Sequence, residues 1–214
     1  MTDYANGKAG AREDLCRFLS ACYYEPTTDF SEEHLFDSML AAASAIDPDL
    51  AECARKLRVA FLDQDIQTLL VDHTALFIGP AQPKAMPYAT FWLTDDQSMR
   101  HEATMAVLDF YERGGFDVDA QIHELPDHVA IELEFLYALM FRLNEAKRQS
   151  NEDESNETSL LIGSLLNDHL GRWIPEFTQA VQANAETEFY KRAAELTQCF
   201  VQMEIKSVNH QRGK

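Results

Sequence analysis

Apolar residues recur every three or four positions along most of the chain, which is the spacing of one face of an α-helix. The N-terminal half carries such stripes at Leu15, Phe18, Leu19 and Cys22, at Leu50, Ala54, Leu57 and Phe61, and at Ile66, Leu69, Leu70, Leu76 and Phe77. A further stripe from Met99 to Phe110 ends at Gly114-Gly115, a typical helix terminator. Strand-like alternation is confined at most to the few residues from Ala89 to Leu93. The pattern therefore predicts an all-α protein of about eight to ten helices.

The strongest helical pattern begins at Val129 and runs to Leu143. Its apolar residues cover most of the helix circumference, and a helix of this kind is normally surrounded by others. We therefore expect it at the centre of the fold. Two more helices follow, over 161–181 and 189–203, and Pro175 is expected to kink or split the first of them.

Two stretches lack a helical period. Residues 79–97 combine prolines with the aromatic residues Tyr88, Phe91 and Trp92, which either pack on the core or are displayed to a partner. Residues 148–158 (RQSNEDESNET) are polar and acidic, which is typical of a flexible linker. This linker would precede a C-terminal helical hairpin.

These patterns predict a single all-α domain over residues 12–205, with flexible segments at 1–11 and 206–214. The linker at 148–158 is also a possible hinge for exchanging the C-terminal hairpin between two copies of the chain. A monomer and a domain-swapped homodimer are both compatible with this organisation.

The charge of the chain excludes some partners and favours others. Eighteen Lys and Arg residues against 36 Asp and Glu residues give a net charge of −18. Such a field disfavours nucleic acid and favours cationic partners. The first ten residues contain no apolar segment of a secretory signal, and no apolar run is long enough to span a bilayer. We therefore expect a cytoplasmic protein without membrane insertion.

Motifs for metal and enzyme chemistry are mostly absent. Cys16, Cys22, Cys53 and Cys199 lack the spacing of zinc ligands, and we expect them to be reduced and structural. The chain has no nucleotide-binding glycine loop, no zinc-protease motif and no paired Glu-x-x-His of a di-iron bundle. We therefore expect neither a metal site nor a catalytic site.

Histidine 128 is the one residue that keeps an enzymatic alternative open. It follows Glu124-Leu125-Pro126-Asp127 at the start of the central helix, where proline and aspartate also suit an ordinary helix start. Glu132 lies one turn further on and would raise the pKa of His128 if it held the imidazolium. A small hydrolase or lyase using His128 with Glu132 or Glu124 is therefore the alternative function. A purely structural subunit of a permanent complex is a third.

Two segments together resemble the TorD/DmsD (NarJ-like) family of redox-enzyme maturation chaperones. The first is 76–80 (LFIGP) followed by 86–93 (MPYATFWL), and the second is 124–128 (ELPDH) continued by Glu132, Leu133 and Phe135. Each segment is weakly specific by itself. Their order along an acidic, all-α chain makes the resemblance specific.

The resemblance implies a cytoplasmic chaperone that binds the twin-arginine signal peptide and the body of a molybdopterin oxidoreductase. It would hold this apo-enzyme client until its molybdenum cofactor is inserted and prevent premature export, without stably binding a cofactor itself. In some members, the positions that match Leu76, Phe77, Pro87, Tyr88, Asp127 and His128 are implicated in binding the signal peptide.

The residues themselves offer a complement to such a peptide, which carries two arginines followed by an apolar stretch. We expect Asp127 and nearby acids, Glu124 and Glu132, to pair with arginine. We expect Leu76, Phe77, Tyr88 and Trp92 to line an apolar groove. With Pro87 and His128, these are the candidate site residues.

Overall fold

Most of the helices form where the apolar period predicts them. The structure is a computed structural model that describes residues 2–32, 34–79, 82–94, 100–118 and 124–212. The N-terminal part contains α1 (Thr2–Ala21), α2 (Asp29–Glu32), α3 (Leu35–Ile46), α4 (Pro48–Leu62), α5 (Ile66–His73), α6 (Ala89–Leu93) and α7 (Arg100–Gly114). The C-terminal part contains α8 (Val129–Arg148), α9 (Glu152–Ser164), α10 (Gly171–Asn184) and α11 (Glu188–Arg212). The described residues form no strands, which confirms the predicted all-α class.

Several helix boundaries follow from local side-chain chemistry. The Asp47 side chain accepts a hydrogen bond from the Asp49 N–H at the start of α4, where Pro48 occupies the first helical position. The Asp65 side chain caps α5 by accepting from the Thr68 N–H. At the other end of a helix, Gly115 follows α7 with a φ of 63°, a backbone conformation that favours glycine.

Helix α8 is the centre of the fold, as its apolar circumference predicts. It packs against α1 on one side and α9 on another, while α4 and α10 pack against α11. The largest fully buried side chains are mostly aromatic and come from several helices: Trp173, Tyr23, Tyr190, Phe135, Phe177, Phe189 and Phe200. Membrane-spanning length and apolarity are found in none of the helices that the structure describes.

The helix irregularity that was expected at Pro175 lies about one turn before it. Residues Leu165–Leu170 form a π-helical segment between α9 and α10, and Pro175 lies in the early part of α10. Proline cannot donate a backbone hydrogen bond, and its ring crowds the carbonyl four residues before it, here that of Gly171. A side chain at Gly171 would place its Cβ 2.5 Å from the Leu166 carbonyl oxygen, so the backbone at the end of the π-helical segment leaves room only for glycine.

The prediction of a flexible linker at 148–158 is wrong for most of that segment. From Glu152 onward the chain is helical, and the Asn151 side chain caps α9 by accepting from the Glu154 N–H. The acidic residues fall in the first turn of the helix, where negative charge is favourable. Arg142 of α8 pairs with Glu154, at 3.2 Å between Nε and Oε1. The acidic run is therefore the exposed start of a packed helix.

The ends of the chain also differ from the expected flexible segments. Helix α1 begins at Thr2 and α11 continues to Arg212, so most of 1–11 and 206–212 is helical. Arg12 of α1 forms a salt bridge with the fully buried Glu204 of α11, with 2.7 Å between Nε and Oε1. This pair ties the two terminal helices together. The few residues with strand-like alternation, 89–93, form helix α6.

Candidate functional site

The two segments that carry the family resemblance lie side by side. Tyr88 and His128 form an isolated antiparallel bridge. The Ala89 N–H donates to the Asp127 carbonyl at 2.9 Å, and the Val129 N–H donates to the Pro87 carbonyl at 2.8 Å. The loop before α6 is therefore fixed by backbone hydrogen bonds to the start of the central helix.

A pocket of about 380 Å³ opens beside this bridge. We call it the motif pocket. Its described lining residues are Tyr23, Tyr24, Glu25, His73, Phe77, Ile78, Pro83, Met86, Pro87, Tyr88, Glu124 and His128. They come from the turn that follows α1, from α5 and the π-helical turn Thr74–Ile78 that extends it, from the loop before α6, and from the turn that precedes α8. None of these lining residues is Lys or Arg.

The acidic side of the motif pocket is formed by Glu25 and Glu124, which are both exposed. The Tyr88 hydroxyl donates to Glu124 Oε2 at 2.6 Å. Burial raises the pKa of Tyr88, and the neighbouring Glu124 carboxylate raises it further, so the phenol keeps its proton. Carboxylates beside aromatic faces can accept hydrogen bonds from a guanidinium and stack against it.

His128 is neutral and forms part of the pocket wall. Its Nδ1 accepts a hydrogen bond from the Ala130 N–H at 3.2 Å, which caps α8. Its ring stacks on Tyr24 and meets Tyr88 edge to face, with centroids 6.1 Å and 5.2 Å away. Burial lowers the pKa of His128 to about 4, and His73 also lowers it, against the opposing effect of Glu124 and Asp127.

His73 is the second histidine of the wall. Burial lowers its pKa too, and its Nε2 lies 3.4 Å from the Tyr23 carbonyl oxygen. Its ring packs edge to face on Phe77, with centroids 5.2 Å apart. The uncharged histidines leave the two glutamates as the charged groups among the described lining residues.

Asp127 does not reach the surface where the sequence analysis expected an arginine partner. Its side chain is fully buried, and Oδ2 accepts from the Thr90 N–H at 3.0 Å, at the start of α6. The other oxygen, Oδ1, is buried without a hydrogen-bond partner. The Tyr111 hydroxyl holds the same turn by donating to the Pro126 carbonyl at 2.6 Å. Asp127 therefore positions the loop before α6, and Glu124 is the acidic residue of this turn that lines the motif pocket.

Glu132 is also placed differently from the expectation. It is fully buried, with Oε1 2.7 Å from His169 Nε2 and Oε2 accepting from Trp173 Nε1 at 3.1 Å. Burial raises the pKa of Glu132, although His169 partly offsets this. Burial opposes the charge of His169, but the Glu132 carboxylate outweighs it and raises the pKa of His169.

The expected pairing of His128 with Glu132 is therefore wrong. His128 has an extended backbone as the cap of α8, and its ring turns back to the first turn of the helix. The side chain of Glu132 points instead to the π-helical segment and α10. The pKa of His128 is lowered, not raised, so the acid–base pair of the enzymatic alternative is not formed with Glu132.

The structure divides the remaining candidates between the pocket and the core. Phe77 and Pro87 line the pocket, whereas Leu76 is fully buried outside it. Trp92 is half-buried, donates from Nε1 to the Met86 carbonyl at 2.8 Å, and packs against Phe177. Trp92 therefore supports the loop from behind and does not line the pocket.

The sequence pattern did not indicate the wall contributed by the turn after α1. Tyr23, Tyr24 and Glu25 directly follow the stripe that ends at Cys22, so aromatic rings and a carboxylate at a helix end were the available signal. The position of His73 on the apolar stripe that begins at Ile66 is typical of a packed core histidine, and the side chain is indeed buried. It also faces the pocket.

Two further features bear on ligands. A second pocket, of about 340 Å³, lies between α1, α8, α9 and α11 and includes Arg12, Lys147, Leu160 and Val208, but no residue of either motif. Within the described part of the chain, no three His, Cys, Asp or Glu side chains are grouped so that they could hold a metal ion.

Relatives of known name share most of the chain. The protein named Chaperone protein TorD from Vibrio vulnificus strain YJ016 is 29% identical over 174 residues, which cover 81% of this chain and 80% of the relative. The protein of the same name from Aliivibrio salmonicida is 24% identical over 203 residues, covering 91% and 93%. Both alignments are long enough to include the two motif segments, 76–93 and 124–135.

A solved structure from Archaeoglobus fulgidus, assigned as a redox enzyme maturation protein, has the same fold. Its TM-score is 0.53 at 22% identity, and the match covers 90% of this chain and 92% of the other. The family model described as Nitrate reductase delta subunit matches residues 43–179. This match confirms the resemblance carried by the two motifs, and the chain therefore belongs to the nitrate reductase delta subunit family.

Proposed function

We propose that this protein is a cytoplasmic chaperone that binds the twin-arginine signal peptide and the body of a molybdopterin oxidoreductase. It holds the apo-enzyme while the molybdenum cofactor is inserted and so prevents premature export. The molybdenum cofactor belongs to the client, and the chaperone acts through affinity.

The observation that carries the proposal is the meeting of the two motifs at one acidic, aromatic pocket. The Tyr88–His128 bridge joins segments far apart in the sequence, and the pocket beside it offers the carboxylates of Glu25 and Glu124. Its volume lies in the range of pockets that enclose a small ligand. It can thus take a few side chains of an extended peptide, while the body of the client would contact other surfaces.

The chemistry of the wall suits arginine more than lysine. A guanidinium can donate two parallel hydrogen bonds to a carboxylate and stack flat on an aromatic ring, whereas an ammonium acts as a point charge. Glu124 offers the carboxylate, and Tyr24 and Tyr88 offer aromatic faces. Phe77, Ile78 and Met86 supply apolar surface for the residues that follow the arginines. The net charge of −18 steers a cationic peptide toward the protein.

The test is calorimetric titration with twin-arginine signal peptides of the molybdoenzymes encoded in the same genome. Each peptide is compared with a version in which both arginines are lysines. We expect one peptide to bind with micromolar or tighter affinity, about −8 kcal/mol, and its twin-lysine version to bind at least about tenfold more weakly.

Variants connect this affinity to the motif pocket. Glu124→Gln keeps the shape of the side chain but removes its charge, and loss of a charged hydrogen bond of about 1.5–3 kcal/mol weakens binding about tenfold or more. Glu157→Gln is the matched control, because Glu157 is an exposed carboxylate of α9, which contributes no described residue to the pocket. Likewise, Tyr88→Ala is compared with Leu160→Ala, which removes apolar surface from the second pocket.

Equal affinity of the wild type and Glu124→Gln for the peptide would remove the motif pocket from the proposal. Equal affinity for the twin-arginine and twin-lysine peptides would remove the arginine specificity. Failure of every peptide to bind would contradict signal-peptide recognition itself.

A further inference from the structure

Two of the four cysteines lie against each other on different helices. Cys53 of α4 and Cys199 of α11 are separated by 4.0 Å between their Sγ atoms, and the Cys53 thiol donates a hydrogen bond to Cys199. The two helices pack directly against each other. A disulfide holds its sulfurs about 2 Å apart, so the two sulfurs must approach each other by about another 2 Å to bond.

The environments of the two thiols are unequal. Cys199 is half-buried, whereas Cys53 is 8% exposed. The hydrogen bond from Cys53 is the largest influence on Cys199 and lowers its pKa, against the opposing effects of burial, Glu195 and Asp49. The same hydrogen bond raises the pKa of Cys53. The more accessible sulfur is thus the one that more readily becomes a thiolate, the reactive form of cysteine.

The surroundings of the pair contain charges of both signs. Lys56 lies one turn after Cys53, Glu195 lies one turn before Cys199, and their side chains form a salt bridge of 3.4 Å. Lys56 favours the thiolate of Cys199, while Glu195 and Asp49 disfavour it. Because these charges oppose one another, the hydrogen bond from Cys53 is the main interaction that favours the thiolate of Cys199.

The other two cysteines have no cysteine partner. Cys16 and Cys22 are fully buried. The Cys16 thiol donates to the Leu133 carbonyl of α8, and the Cys22 thiol donates to the Phe18 carbonyl of its own helix. Burial raises the pKa of both, that of Cys22 to about 12. They are structural, as the sequence analysis expected of all four.

We propose that Cys53 and Cys199 form a peroxide-sensitive thiol pair that closes reversibly into an intramolecular disulfide between α4 and α11. The Cys199 thiolate attacks one oxygen of hydrogen peroxide, the O–O bond breaks, and Cys199 becomes a sulfenic acid while hydroxide leaves and is protonated to water. Cys53 then attacks the sulfenic sulfur, the S–S bond forms, the S–O bond breaks, and a second water carries away the Cys53 proton. The two thiols supply the two electrons that reduce the peroxide.

The test uses the full-length, reduced protein treated with equimolar hydrogen peroxide. Remaining thiols are then alkylated under denaturing conditions, and the protein is analysed by mass spectrometry. Compared with untreated protein alkylated in the same way, we expect an intact mass lower by two alkyl groups, one cross-linked peptide pair containing Cys53 and Cys199, and alkylated Cys16 and Cys22 as internal controls. Treatment with dithiothreitol before alkylation should restore the mass of the untreated control.

Two matched variants assign the roles. In Cys53→Ala, Cys199 should accumulate as a sulfenic acid that dimedone traps. In Cys199→Ala, oxidation of Cys53 should be at least about tenfold slower than that of Cys199 in the wild type. Circular dichroism verifies that each variant is folded, and the cross-linked peptide of the wild type decides the proposal if a variant is not.

Two results would overturn the proposal. In one, Cys199 reacts no faster than Cys16 and Cys22 in the wild type. In the other, Cys199 is recovered in a disulfide between two copies of the chain while Cys53 remains alkylated.

Discussion

Acidification should destabilise this protein through His128. Above its unfolded-state pKa of 6.5 the imidazole is neutral in both the folded and the unfolded chain. The buried ring has a folded-state pKa of about 4, so between these two values the unfolded chain binds the proton and the folded chain does not. The stability contributed by the neutral ring is therefore present above pH 6.5 and is lost as the pH falls toward 4.

The size of this loss follows from the same two values. A pKa lowered from 6.5 to about 4, at about 1.4 kcal/mol for each pH unit, corresponds to about 3 kcal/mol. The structural cause is specific. Protonation at Nδ1 removes the acceptor for the Ala130 N–H and places a charge between Tyr24 and Tyr88.

The measurement is urea unfolding, followed by circular dichroism, at pH values between about 7 and 4. The perturbation is His128→Asn, because asparagine caps a helix well and does not ionise in this range. The wild type should lose about 3 kcal/mol more free energy of unfolding than the variant over this interval. The pKa of His73 is lowered and that of His169 is raised, and both residues titrate in both proteins, so the difference reports mainly on His128.

His34→Asn is the control, since His34 is exposed, with 78% of its side chain accessible. This variant should lose stability in parallel with the wild type. If the His128→Asn variant also follows the wild type to within about 1 kcal/mol, the neutral, buried state of His128 is refuted.

Three further substitutions test the supports of the site by urea unfolding. Glu132→Ala leaves its histidine and tryptophan partners unpaired in the core and should cost about 3–5 kcal/mol; a cost below 1 kcal/mol would contradict the buried pair. Gly79→Ala should cost about 1–3 kcal/mol, because Gly79 has φ 64° and ψ 152° and a Cβ would lie 2.8 Å from the Gln82 backbone; an unchanged midpoint would show that the backbone can relax. Asp127→Ala should cost about 1–3 kcal/mol by leaving the Thr90 N–H unpaired, whereas Glu124→Gln should leave stability unchanged, and equal losses in the two would contradict their division of roles.

The helices were predictable because each depends on local chemistry. The apolar period of 129–143 was sufficient to place α8 at the centre, and Gly114-Gly115 was sufficient to end α7. Helix α9 was missed because its first turns carry no apolar period. The Asn151 cap and the acidic first turn were present in the sequence, but they were interpreted as the composition of a linker.

The site was predictable in its location but not in its contacts. The two motifs indicated which segments matter, and Phe77, Pro87, Tyr88, Glu124 and His128 do line one pocket. Spacing alone could not show that the His128 ring turns back to cap α8, because that depends on its extended backbone. The partners of Glu132 lie about forty residues further along the chain, and only tertiary packing brings them to it.

The turn 124–128 accounts for how the proposed binding surface is held at the start of a buried helix. Its inward residues are structural. The Asp127 side chain accepts a hydrogen bond from the Thr90 N–H at the start of α6, and the Pro126 carbonyl accepts one from the Tyr111 hydroxyl. Its outward residue, Glu124, holds the Tyr88 hydroxyl, so the loop and the turn share the pocket wall. Because α8 is anchored by α1 on one side and by α9 on another, this turn is fixed before any ligand arrives. A preorganised wall of this kind loses little entropy on binding, so in the proposed complex the ordering cost would come mainly from the flexible peptide.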